Sequence, residues 1–245
     1  MTQDHVCPTG ARRWECSHLL ETWLKTPEAL ARGVSARGRL VVELGAGTGC
    51  LSLACVEDAD LGARRALVTD LRQRIEETKL LVSANGRPGS AKCVFKELAW
   101  SEKFNDKAAI EVLGEDAETV RESGMVLLLC ELLYWPALDL FDDDTLDALA
   151  CTLHGFMLAG AALEIPGGAV GVVCYRERDK GRETRFLDLC REKGLVVEEE
   201  EGSCVKEIWD LCLSRGAFGE NPEGSTCLEE SPVHLFVIKQ QREQT

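Results

Sequence analysis

An α/β fold is predicted: a seven-stranded, mostly parallel sheet with helices on both faces and an antiparallel last strand. Three observations predict it. Short runs rich in Val and Leu recur seven times, at 39–44, 65–70, 91–98, 125–130, 169–175, 195–201 and 233–239. Helix-compatible stretches at 48–57, 71–84, 144–154 and 179–193 lie between several of them, and strand–helix–strand alternation builds parallel crossovers. The last two runs are joined instead by a turn-rich segment, which points to an antiparallel end of the sheet.

Residues 1–38 read as an N-terminal helical cap and 39–245 as a Rossmann-like core, together one domain, since 245 residues with 45% hydrophobic content suffice for one large core. After the first strand the helix over 48–57 opens on a glycine turn, and after the second LRQRIEETKLL continues as a helix. The segment 101–124 is polar and long for a plain connection, so it is a short helix with loops or a surface insertion. In DDDTLDALACTLHGF, Leu146, Leu149 and Leu153 recur at helical spacing, three acids suit the helix N-terminus, and Gly155 offers a stop. Mixed charges in CYRERDKGRETRF fit an exposed helix after the fifth strand. The four glutamates at 198–201 read as a solvated strand end, and 202–231 is the most loop-like span.

Charge narrows the function. With 42 acidic against 28 basic residues the net charge is −14, which repels phosphate backbones and anionic lipid, so neither nucleic acid nor a membrane is an expected partner. The apolar stretches at 125–130 and 156–163 are too short or interrupted to span a bilayer. The 12 cysteines form no CxxC or CxxH pair, several sit among aliphatics, and the polar start carries no cleavable apolar segment; a reducing, cytoplasmic address is expected, with the nucleus also open to it. His5, His18, His154 and His234 lack partners at metal-ligand spacing, so no metal is expected and each reads as a surface or helix-end histidine.

The chemistry lies in LVVELGAGTGCLSLA, where Gly45, Gly47 and Gly49 follow a strand and open a helix, the place where ligands meet the carboxyl edge of such a sheet. A dinucleotide fingerprint needs G-x-G-x-x-G, whereas here the spacing is G-x-G-x-G, and no Gly-Lys-Ser/Thr follows to make a phosphate loop. Asp70 closes the second strand one βα unit later, where a carboxylate can accept both hydroxyls of a ribose. The competing readings are a tight turn without a ligand for the glycines and a helix N-cap for Asp70.

The V-V-E-x-G-x-G-x-G pattern resembles motif I of the seven-strand S-adenosylmethionine-dependent methyltransferases. Further stretches resemble the family-16 protein methyltransferases, most of whose characterised members methylate lysine: GARRWECSHLLETWL, similar to the family's G-x-x-x-W helix; VTDL followed by Asn85; KELAWSE; and CELLYWP at the place of the D-x-x-Y motif. The resemblance implies S-adenosylmethionine as cofactor, S-adenosylhomocysteine as product, and a cofactor site lined by Trp14, Glu43, Gly45, Ala46, Gly47, Gly49, Asp70, Leu71, Trp100 and Cys130. It places Glu131 and Tyr134 as catalytic, Glu131 orienting an acceptor ammonium and Tyr134 walling its channel, with Trp135 beside it. Glu131 departs from the family's Asp by one methylene, and its plain alternative is a turn carboxylate. Arg176 and Arg178, in the family's post-strand-five stretch, read as structural.

The expected activity is methyl transfer to a protein, lysine first, with a basic or lysine-bearing protein surface as partner and a monomeric enzyme. The same scaffold also serves arginine, a protein terminus or a small molecule, and an inactive cofactor-binding adaptor stays open because of Glu131.

Overall fold

The computed structural model describes residues 13–133, 143–166, 168–218, 228 and 231–241, with residues 143 and 144 as backbone only. Seven strands form one sheet: β1 (Leu40–Leu44), β2 (Arg65–Asp70), β3 (Cys93–Glu97), β4 (Met125–Cys130), β5 (Val170–Arg176), β6 (Leu195–Glu199) and β7 (Val233–Gln240). Their order is β3-β2-β1-β4-β5-β7-β6. The first five run parallel, with Val42 beside Leu67 and Leu127, while β7 lies antiparallel between β5 and β6. All seven predicted strands are present within a few residues of their expected bounds.

Because strand side chains alternate between faces, each strand feeds two cores. Leu40, Val42, Leu44, Leu127, Leu129, Val173 and Tyr175 face one layer, packed with α5 (Asp106–Leu113), α6 (Asp116–Ser123), α7 (Asp143–Ala162) and α8 (Lys180–Glu192). Val41, Val68, Val126, Leu128, Val172 and Cys174 face the other, with α1 (Glu15–Trp23), α3 (Cys50–Glu57), α4 (Arg72–Ala84) and α9 (Gly202–Ser214). A short α2 (Pro27–Ala31), capped by the Thr26 hydroxyl on the Ala29 amide, follows α1.

Several expectations are corrected. The span 202–231 opens not as a loop but as α9, whose Val205, Ile208, Trp209 and Cys212 are buried at i, i+3, i+4 and i+7, a helical stripe masked in the sequence by interleaved acids and Lys206. Gly155 does not stop α7, which runs on to Ala162: a Cβ at Gly155 would lie 2.6 Å from Phe104, so this glycine lets segment 101–124 approach the helix. That segment holds two helices, α5 and α6, where a single short helix with loops or a surface insertion was expected. The apolar reach of α7 is longer than the sequence reading allowed, since Thr145–Ala162 is long and apolar enough to cross a membrane by composition; here its Leu146, Leu149, Leu153 and Phe156 are buried against the sheet. Glu200 is not solvated. It is buried and accepts from Trp23 Nε1 (3.1 Å) and Arg32 Nε (2.9 Å), fastening α1 and α2 to the end of β6.

Candidate active site at the carboxyl edge of the sheet

The carboxyl ends of β1, β2 and β4 meet where the glycine turn lies. Gly45, Gly47 and Gly49 have φ of 60°, 53° and 68°, a region costing other L-residues about 1–2 kcal/mol each. A Cβ on Gly45 would lie 2.5 Å from Leu132 Cδ2 and 3.2 Å from Trp100 Cζ2, so two side chains close over bare backbone there. Gly49 is the left-handed N-cap of α3, against Thr78 of α4. The Thr78 hydroxyl donates to the Gly47 carbonyl, and the Ala46 amide donates to Thr69 O (2.9 Å), so the turn is stitched to β2 and α4.

Asp70 completes the ring. Its Oδ2 accepts from the Gly47 amide (2.8 Å) and its Oδ1 from the Leu71 amide (2.8 Å), which joins the glycine turn to the end of β2. Leu71, not Asp70, is the N-cap of α4, and the α4 cap carries no side-chain bond, so the plain capping reading of Asp70 does not describe its role. Burial lifts the Asp70 carboxyl above its ordinary range, and the Gly47 and Leu71 amides pull it back. Leu71 itself is 58% exposed beside this carboxylate.

Glu43 faces inward. Fully buried, its Oε2 accepts from the Ser52 amide (3.0 Å) and the Ser52 hydroxyl, which anchors the first turn of α3 beneath the glycines. Burial raises its carboxyl to about 7 against the pull of the two Ser52 donors.

On the β4 side, Cys130 ends the strand with its thiol 3.5 Å from Ser17 Oγ of α1, beside Cys16 and Cys174; burial raises the Cys16 and Cys130 thiols well above the ordinary range. Glu131 follows in the left-handed region, φ 59°, a strain for a non-glycine residue of about 1–2 kcal/mol. Three bonds hold it there. Its amide donates to Cys174 O (2.9 Å), its Oε1 accepts from the Arg176 amide (3.2 Å) and its Oε2 from Arg178 Nη1 (2.6 Å). The Arg178 guanidinium lies over the Trp14 ring at 5.7 Å, and that of Arg176 over Trp209 of α9 at 4.9 Å. Tyr134 and Trp135 lie outside the described residues.

The sequence reading thus named residues that the structure gathers at one edge: Gly45, Ala46, Gly47, Gly49, Asp70, Leu71 and Trp100 around the turn, and Cys130, Glu131 and Trp14 across β4. It missed Leu132, which covers Gly45, and Ser17, which meets Cys130. Neither carries a pattern; only their positions beside CE in CELLY and after WEC in the first helix could have drawn notice. Asn85 caps the end of α4, away from the turn. Of the histidines, His18 lies against Phe218 with burial lowering its imidazole to about 4, and His234 sits between Glu177 (3.2 Å) and Glu199 (3.0 Å).

Residues 1–116 match the sequence model of a family described as lysine methyltransferase. Among solved structures, the methyltransferase domain of bacterial CtHen1-CN superposes with a TM-score of 0.51 at 15% identity, over 90% of this chain and 99% of that one. The fold is that of the class I S-adenosylmethionine-dependent methyltransferases. An O-methyltransferase family protein from Burkholderia thailandensis (TM-score 0.49, 12% identity, 93% of this chain) and the mitomycin 7-O-methyltransferase MmcR (0.48, 18%, 91%) also align. This chain spans 57% and 54% of the length of those two proteins.

The class I methyltransferase cofactor fits the residues present. The glycine turn leaves backbone without side chains at the carboxyl edge of the sheet, and each Asp70 oxygen spends one lone pair on an amide, leaving one for a vicinal diol. Leu71 and the Trp100 edge add apolar surface next to them.

Proposed function

We propose that this protein transfers a methyl group from S-adenosylmethionine to the side-chain amine of a lysine on another protein. The bridge from Asp70 to the Gly47 amide carries the cofactor half of the reading, because it builds a diol acceptor and a bare-backbone cradle as one unit at the sheet's carboxyl edge. The match of residues 1–116 to the lysine methyltransferase family supports the acceptor half.

S-adenosylmethionine supplies an electrophilic methyl on a sulfonium. Asp70 takes its ribose hydroxyls, the Gly45–Gly49 turn takes its amino acid end, and Trp100 with Leu132 shields the approach from water. The acceptor nitrogen must lose its proton and line up behind the methyl, so positioning and desolvation supply most of the rate. Glu131 fixes the acceptor side of the edge, and the net charge of −14 favours a basic protein surface. The protein acts as a monomer in the cytoplasm or nucleus under this reading.

Tritium from labelled cofactor, incubated with the protein and a heat-treated cell extract, is expected on protein and, after hydrolysis, on methyllysine. Label on methylarginine, a terminus or a metabolite would assign a different acceptor. A second reading, a cofactor-binding adaptor, is favoured by one observation: both carboxylate oxygens of Glu131 are already bonded within the chain. Cofactor binding by calorimetry with no label on any acceptor is its signature.

A further inference from the structure

We propose that Arg178 is a positioning residue for methyl transfer, acting through Glu131 and Trp14; this rests on the methyltransferase reading above. Its guanidinium serves three groups, two of them distant along the chain. Nη1 donates to Glu131 Oε2 (2.6 Å) just past β4 and to the Arg176 carbonyl (3.2 Å) at the end of β5, while the guanidinium lies over the ring of Trp14 at the start of α1 (5.7 Å). The arginine is itself anchored, since its amide donates to Glu183 Oε1 (2.8 Å) at the first turn of α8.

A planar fork suits this post better than a point charge. Nη1 bonds the carboxylate and the carbonyl while the flat guanidinium lies over the indole, a face-to-face contact that a tetrahedral ammonium does not reproduce. Glu131 needs such a holder: its backbone is left-handed and its side chain is 6% exposed, so without the ion pair a nearly dry carboxylate would be left with the Arg176 amide alone. Arg178 thereby sets where Glu131 stands beside the β4 edge and fastens the first turn of the N-terminal cap to the same place. It does this from the chain segment after β5, to which the sequence assigned a structural part only.

The double-mutant cycle of Arg178→Ala and Glu131→Gln tests it, read as tritium transfer from saturating S-adenosylmethionine to proteins of heat-treated extract. Each single variant is expected to lose on the order of tenfold or more in rate, and the double no more than the poorer single, as for groups acting as one unit. Arg178→Lys, which keeps the charge without the fork, should recover only part of the rate. Amide exchange at residues 15–17 should quicken in Arg178→Ala, because Trp14 loses the guanidinium over its ring. Additive losses, full recovery with lysine, or an Arg178→Ala enzyme as fast as wild type or faster would overturn the proposal, the last by showing that the arginine only blocks the acceptor position. A wild-type protein that labels nothing counts against the methyltransferase reading instead; exchange at 15–17 then decides the lock, and protection unchanged in Arg178→Ala rejects it.

Discussion

The β1–β2 side of the carboxyl edge is built from main chain, and the β4–β5 side from side chains. Around Gly47 the donors are amides and the acceptor is one carboxylate 23 residues away, so the geometry is set by local backbone conformation. Around Glu131 the partners lie on and just after β5, and the two arginines there lie in turn over Trp14, ahead of α1, and Trp209 of α9, so the geometry holds only once those segments have packed. A backbone cradle tolerates drift in its surroundings but not a side chain within it. A side-chain network responds in the opposite way.

The largest effect that could break this contrast is Gly45→Val. The new side chain meets Leu132 and Trp100 and sits at a φ of 60°, so cofactor binding measured by calorimetry should fall by about a hundredfold or more. Binding within a few-fold of wild type would show that the cradle is not bare by necessity.

On the other side, Trp209→Ala empties a fully buried site under Arg176 and Phe218 and should cost about 3–5 kcal/mol in urea unfolding. At temperatures where it stays folded, transfer should suffer more than cofactor affinity; equal losses in both would erase the distinction between the two sides.

Asp70→Ala should weaken cofactor binding about tenfold to a hundredfold through lost hydrogen bonds to the diol, with cooperative unfolding retained. Unchanged affinity would remove Asp70 from the site.

The last test sharpens the comparison through pH. Burial places the Glu43 carboxyl at about 7, above its ordinary 4.5, so between those values the native state keeps a proton that the unfolded chain has released. Stability on this account is present below that window and declines as pH rises through it, by up to about 3 kcal/mol. Glu43→Gln should flatten the decline, seen as urea midpoints that change less between pH 5 and 8. An unaltered slope would mean that the Ser52 donors keep the carboxyl ionised throughout.

Legibility follows the same divide. The glycine turn and Asp70 could be read because local backbone demands leave a local mark: glycine where φ is positive, an acid at a strand's end one crossover later. Trp14 and Glu131 could be named through the family resemblance, but the bond from Glu131 to Arg178 could not, because 47 positions separate them and mixed charge in CYRERDK reads equally well as an exposed helix. The burial of Glu200 was hidden for a similar reason, since four glutamates in a row give no sign of which one meets Trp23 and Arg32.

The sequence alone determined the number of strands and their places along the chain, the helical crossovers after β1, β2 and β4, and the cofactor turn, because alternation, helical period and glycine placement are properties of neighbours along the chain. Tertiary structure decided that α9 is a helix, that Gly155 admits Phe104 instead of ending α7, and that Arg178 rather than solvent meets Glu131. Each of these depends on which distant surface arrives to exclude water: the helical stripe of α9 is masked by the charges between its apolar residues, and the contacts of Gly155 and Glu131 leave no local pattern.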